Sequence, residues 1–164
     1  MSLTIEEAKK YFGEFTYKEI GNGLIYIDDL WVKENIVIAT LPIIGTIKCH
    51  KKVAGELAKI FSKIEKDKKE YLIDVKDTKA NGGCWVPRHM CWDVKRPLSL
   101  HAWGIAIDIN PTTNPFGSKG TENQKELAKY FEEYCWEWGG RWKTPDPMHF
   151  QWALKLEKRN ENGI

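Results

Sequence analysis

Long hydrophobic runs are missing from this 164-residue chain. Its longest apolar stretches, such as LIYI and IVIATLPIIG, fall far short of the ~20 residues that span a bilayer, so no membrane partner is expected. A surplus of charge is missing too. Lys and Arg total 25 against 23 Asp and Glu, a dispersed net charge of +2, which excludes the basic footprint of a nucleic-acid binder. Cysteine is scarce: Cys49, Cys84, Cys91 and Cys135 show no CxxC spacing and no disulfide framework. Cys84, His89 and Cys91 lack an evident fourth partner for a structural metal, so buried thiols or one incidental disulfide are expected instead. No repeat, low-complexity tract or Pro/Ser-rich linker interrupts the sequence, and a single domain over residues 1–164 is expected. The opening MSLTIEEAKKYF has neither the basic start nor the apolar centre of a secretory signal. The expectation is synthesis in the cytoplasm, with another route of release if the protein acts outside.

What remains is an ordinary folded composition, 42% hydrophobic and 29% charged. Thr4 with Glu7 forms a capping box for a helix reaching about Phe12. LIYI and NIVIAT read as strands, with Gly21 to Gly23 as a turn. Val53, Leu57, Ile60, Phe61 and Ile64 fall at helical spacing, which predicts an amphipathic helix over about Lys51 to Lys66. YLIDV, Tyr71 to Val75, reads as a buried strand, and Asn81-Gly82-Gly83 opens a loop carrying CWVPRHM. Thr121 with Gln124 starts a second capped helix through Leu127, Phe131 and Cys135, stopping at Gly139-Gly140. Strands and helices without βαβ alternation predict an α+β domain, a small antiparallel sheet flanked by helices.

Two of the four histidines stand in short stretches with an aspartate nearby, SLHAWGIAIDIN and DPMHFQW. In the first, Ile105, Ile107 and Ile109 alternate with Ala106, Asp108 and Asn110, so a strand points Asp108 away from the greasy face. In the second, Met148, Phe150 and Trp152 take one face while His149 and Gln151 take the other. Two such strands bring Asp108 and His149 together. His101 cannot join them along a straight strand. Seven extended residues cover about 23 Å, whereas zinc ligands lie only about 2 Å from the metal. The chain must fold back, and Gly104 permits it. A His-Asp-His set leaves one zinc position open for water, the catalytic arrangement. Asp146, three residues before His149 and next to Pro147, sits in a turn that brings it toward that water as a general base. The competing reading is two surface histidines, each hydrogen-bonded to a neighbouring carboxylate, and spacing alone leaves both open.

These same residues, Ser99, His101, Gly104, Ala106, Asp108, Asp146 and His149, reproduce the pattern S-x-H-x-x-G-x-A-x-D followed by an acidic residue three positions before a final His. Here the chain resembles the zinc peptidases of bacterial cell walls, which include D-alanyl-D-alanine carboxypeptidases and the L-alanyl-D-glutamate endopeptidases of phage endolysins. The match extends from about Gly82 to Trp152. It implies a hedgehog/D,D-peptidase-like fold, one Zn2+ per chain on His101, Asp108 and His149, and Asp146 as catalytic base. An aspartate at that position tilts the resemblance toward phage-type endopeptidases, with the D,D-carboxypeptidases and a non-catalytic wall-binding module as alternatives. The implied partner is a peptidoglycan stem peptide, the implied place of action the bacterial cell wall, and the expected state a monomer. Arg88, in a loop that carries an arginine to the site in similar proteins, is expected to hold a substrate carboxylate or the oxyanion, with Arg96 as its rival. Ser99 either contacts substrate or caps the turn before His101. Gln151 stands where relatives frequently have Glu, which leaves the support of His149 open. His50 and His89 fit no ligand pattern and are expected on the surface and in a solvated loop. The cluster Trp136, Trp138 and Trp142 is expected in the core rather than stacked on sugar.

Overall fold

The computed structural model describes residues 2–154. Helix α1 (Ile5–Phe12) leads into a hairpin of β1 (Tyr17–Gly21) and β2 (Leu24–Ile27), then helix α2 (Asp29–Asn35). A second hairpin, β3 (Ile36–Leu41) and β4 (Gly45–His50), is followed by α3 (Lys51–Lys66) and α4 (Val75–Asn81). Strand β5 (Ala106–Asp108), helix α5 (Glu122–Glu133) and strands β6 (Trp136–Trp138) and β7 (His149–Trp152) complete the order. Every pairing is antiparallel: two separate hairpins and one three-stranded sheet, β5-β7-β6. The fold is α+β, small antiparallel sheets flanked by helices.

The capping signals acted where they were read. Thr4 Oγ1 accepts from Glu7 N–H and the Glu7 carboxylate accepts from Thr4 N–H, closing the box at α1. In α3 the five residues at helical spacing are all buried. Each contributes about 1.5–3 kcal/mol by leaving water. Their face meets α5 through Phe61 and Phe131, edge to face at 6.0 Å, and Phe131 stacks on Phe150 of β7 at 4.3 Å. Cross-strand register places Ile107, Phe150 and Trp138 side by side on this same buried face. Side chains alternate across a strand, so Asp108, His149 and Gln151 are committed to the opposite face. The hydrophobic core therefore sets the orientation of the polar one.

Several readings of the sequence require correction. YLIDV is not a strand: Glu70–Leu72 is a 3₁₀ turn, and Asp74 caps α4 by accepting from Asp77 N–H at 2.9 Å. Asn110 Oδ1 takes the Asp74 N–H at 2.7 Å, so local capping and a distant side chain outweigh the apolar pattern. Helix α5 ends at Glu133, before Cys135, which adopts a positive φ of 63° and turns the chain into β6. Gly139-Gly140 lies beyond that strand; pairing with β7 and burial of Trp136 and Trp138 end the helix early. The Thr121 cap is also only half of a box. Thr121 Oγ1 accepts from Gln124 N–H, but the Gln124 amide turns inward to donate to the Ile109 and Pro147 carbonyls, both at 2.9 Å.

His50 also departs from expectation: it is buried completely rather than exposed. It ends β4 and caps α3, its Nδ1 accepting from Lys52 N–H and its Nε2 donating to the Phe12 carbonyl, each at 3.1 Å. Burial opposes the charged ring and pulls its pKa down from 6.5 to about 4. The unfolded chain thus takes up this proton first, so stability is complete above pH 6.5 and declines as pH falls toward 4. The loss amounts to about 3 kcal/mol. Denaturant midpoints measured across this window should fall steeply in the wild type, and His50→Asn should flatten the slope.

Candidate metal centre

Ser99 starts the site by capping a 3₁₀ turn, Leu100–Trp103, with its Oγ accepting the His101 N–H at 3.3 Å. Gly104 then takes a left-handed φ of 68° and folds the chain back into β5. A side chain there is also excluded by space, since a Cβ would lie 2.8 Å from the His50 nitrogen. Glycine at this position brings His101 and Asp108 to one place despite their separation. β7 supplies the third residue, because its register sets His149 directly opposite Asp108.

His101 Nε2 lies 3.2 Å from His149 Nδ1 and 3.2 Å from Asp108 Oδ2, and His149 Nδ1 lies 3.2 Å from Asp108 Oδ1. Ligands about 2.0–2.1 Å from a tetrahedral zinc stand roughly 3.3 Å apart, so the three fit one ion. Among the described residues this is the cluster able to hold a metal. The outer ring atoms decide the protonation of the inner ones. His101 Nδ1 faces the Cys84 carbonyl at 2.9 Å, and His149 Nε2 faces Gln151 Oε1 at 3.0 Å. Both outer nitrogens donate, so in the neutral rings both inner nitrogens turn lone pairs toward each other and toward the carboxylate. That convergence of three electron-rich atoms suits a cation between them. Burial works to raise the Asp108 pKa, but the two imidazoles outweigh it and hold the carboxyl well below its usual range. Burial likewise disfavours the His149 cation, yet Asp108 carries its pKa upward in the metal-free chain.

Gln151, whose role the sequence left open, orients His149. Its amide nitrogen donates to Glu137 Oε2 on β6 at 2.9 Å, while the other Glu137 oxygen accepts from Trp142 Nε1 and Ser2 Oγ. Gln151 was visible as the companion of His149 on one strand face. Glu137 was not, because only the β6–β7 register places it behind Gln151. Gln151→Ala is expected to weaken zinc binding by about 10–100-fold, read by competition with a chromogenic chelator.

Asp146 and Arg88 border the cluster. The Asp146 turn is fastened by its N–H donating to the Gly139 carbonyl and by His149 N–H donating to the Asp146 carbonyl. Trp138 Nε1 and Gln124 both donate to the next carbonyl, that of Pro147. Asp146 Oδ1 is buried without a hydrogen-bond partner among the described residues, and so is Arg88 Nε. Burial, with the nearby charge of Asp108, raises the Asp146 pKa against the pull of His149. Burial disfavours the Arg88 cation, which Asp108 and Asp146 partly restore, with Nη2 of Arg88 3.9 Å from Asp108 Oδ2. Arg96 is exposed and pairs with Asp93, so Arg88 is the arginine the fold brings to the site. His89 is buried rather than solvated. Trp136 and Trp138 are core, whereas Trp142 is half-buried with its ring 5.4 Å from that of His149. All four cysteines are free, Cys49 and Cys84 buried, and Cys91 exposed.

No curated protein and no solved structure matches this chain. Residues 92–152 match the family model described as D-alanyl-D-alanine carboxypeptidase, a span that holds His101, Asp108, Asp146 and His149 and begins just after Arg88. Over this segment, which carries the residues whose geometry suits one metal ion, the chain is similar to D-alanyl-D-alanine carboxypeptidases.

Proposed function

We propose that the protein is a zinc-dependent endopeptidase that cuts peptidoglycan stem peptides between L-alanine and D-glutamate, as an endolysin or autolysin does at the cell wall. The observation that carries this reading is the buried, unpartnered Asp146 Oδ1 beside the His-Asp-His cluster. A structural metal has no use for such a carboxylate, whereas a hydrolytic site needs one. One Zn2+ held by His101, Asp108 and His149 supplies a Lewis acid and a water of lowered pKa.

Asp146 accepts the proton of the attacking water and later delivers it to the leaving amine nitrogen. Its burial raises its basicity for the first step. Arg88, held in a loop and partly desolvated, steadies the negative charge growing on the scissile carbonyl oxygen or docks a stem carboxylate. Cys84 and Gln151 keep the two imidazoles in the tautomers that leave their inner nitrogens free. Ser99 serves as the cap that aims His101, its hydroxyl oxygen committed to that N–H.

The family description favours a second reading, a carboxypeptidase releasing terminal D-alanine, with Arg88 on the substrate's free carboxylate. Mass spectrometry of purified walls digested with and without chelator separates the two. New L-alanine and D-glutamate termini support the first reading, and free D-alanine supports the second. Tight wall binding with no released peptide would refute both in favour of a binding module.

A further inference from the structure

The geometry points to a positioning residue outside the family motif. We propose that His89 is an imidazolium staple that fastens the Arg88 loop to the β1–β2 hairpin, an inference resting on the reading of Arg88 as the group that meets substrate charge. His89 Nδ1 lies 2.6 Å from the Arg96 carbonyl, and its Nε2 lies 2.8 Å from Glu19 Oε1 on β1. Both partners are acceptors. A neutral imidazole has one N–H and one lone pair, so it satisfies one of them; only the imidazolium donates to both. The ring is 5% exposed, and its surroundings are consistent in sign. Glu19 and Asp93 are the charges that act on it, and the Tyr17 ring lies edge-on at 6.3 Å. The neighbouring Arg88 guanidinium donates through Nη1 to the His89 carbonyl at 3.3 Å and otherwise faces Asp108 and the Trp92 ring.

The loop needs fastening. Cys91 and Trp92 both hold positive φ, 53° and 58°, a conformation that costs about 1–2 kcal/mol for each such residue. Trp92 carries the Arg88 guanidinium 4.9 Å above its ring, so loop backbone and arginine move together. The hairpin presses directly on this segment: a Cβ at Gly23 would lie 2.3 Å from the Trp92 backbone. Main-chain bonds from His89 N–H to the Gly23 carbonyl and from Ile25 N–H to the Pro87 carbonyl complete the clamp. Burial opposes the His89 cation, but the Arg96 carbonyl and Glu19 outweigh it and lift its pKa above 6.5. The staple is therefore closed in acid and near neutrality, and it opens as pH rises through that raised value.

Glu19→Gln tests this without touching the core, because Glu19 is a half-exposed residue. In the wild type, imidazole NMR should show both His89 ring nitrogens protonated at about pH 6. In Glu19→Gln the His89 pKa should drop. Amide exchange over residues 88–92 should then rise by up to about fivefold near neutral pH, the limit for a partly exposed ion pair. KM for the wall peptide should rise by a similar factor with kcat little changed, and the alkaline limb of kcat/KM should move to lower pH. His89→Gln, which cannot titrate, should lose the part of that limb sensitive to Glu19. A His89 ring carrying one proton at about pH 6 would overturn the staple. Unchanged loop exchange and KM in Glu19→Gln would overturn the positioning role. If the wild type cleaves no wall peptide, the reading of Arg88 fails, while loop exchange still decides the staple.

Discussion

Asp146→Ala is expected to bind one zinc per chain and to lose about 10²–10⁴-fold in kcat on purified cell walls. The carboxylate is not among the three atoms that converge at 3.2 Å, so its removal leaves the metal cradle intact. What disappears is the group whose buried Oδ1 has no hydrogen-bond partner among the described residues. The same variant should unfold at a higher temperature than the wild type when both are metal-free. A carboxylate oxygen buried without a hydrogen bond destabilises the chain that carries it. Zinc content by elemental analysis, wall hydrolysis and a thermal scan read all three effects. Near-normal hydrolysis would remove Asp146 from the base role, and loss of zinc would make it a ligand instead.

Chelation is expected to bring hydrolysis down to the uncatalysed background, with added Zn2+ restoring it. His101→Ala should reproduce the loss without rescue by the metal. Binding to the folded chain alone stabilises it, by about 2.7 kcal/mol at a hundred times the dissociation constant. The wild-type thermal midpoint should therefore climb with zinc while that of His101→Ala stays level. Removing the ring also strips the Cys84 carbonyl of its donor at 2.9 Å, a burial cost of about 1–3 kcal/mol. Chelation of the intact protein keeps the two effects separate. If the chelated protein remains fully active, metal chemistry is not how this chain works.

The convergence of His101, Asp108 and His149 could be read in advance because each piece of it is local. Strand alternation fixes which side Asp108 and His149 face, and a glycine between His101 and Asp108 announces the fold-back. The helices α1 and α3 were equally plain, since their caps and apolar spacing lie within a few residues of one another. YLIDV misled because its fate depends on Asn110, far along the chain, which claims the Asp74 N–H. His89 misled for the same reason: a loop histidine looks solvated until β1 arrives with Glu19.

The sequence by itself determined the short-range order of this protein: helices α1 and α3, strands β2 and β3, and the His-Asp-His group that converges at one place. Those follow from side-chain period and capping, which act over a turn or a strand. Only the tertiary structure decided how His50 and His89 are charged, that Gln151 and Glu137 stand behind His149, and that Asp146 and Arg88 present atoms unpartnered among the described residues. Burial and hydrogen-bond partnership belong to segments that meet only after folding, and those two quantities set protonation.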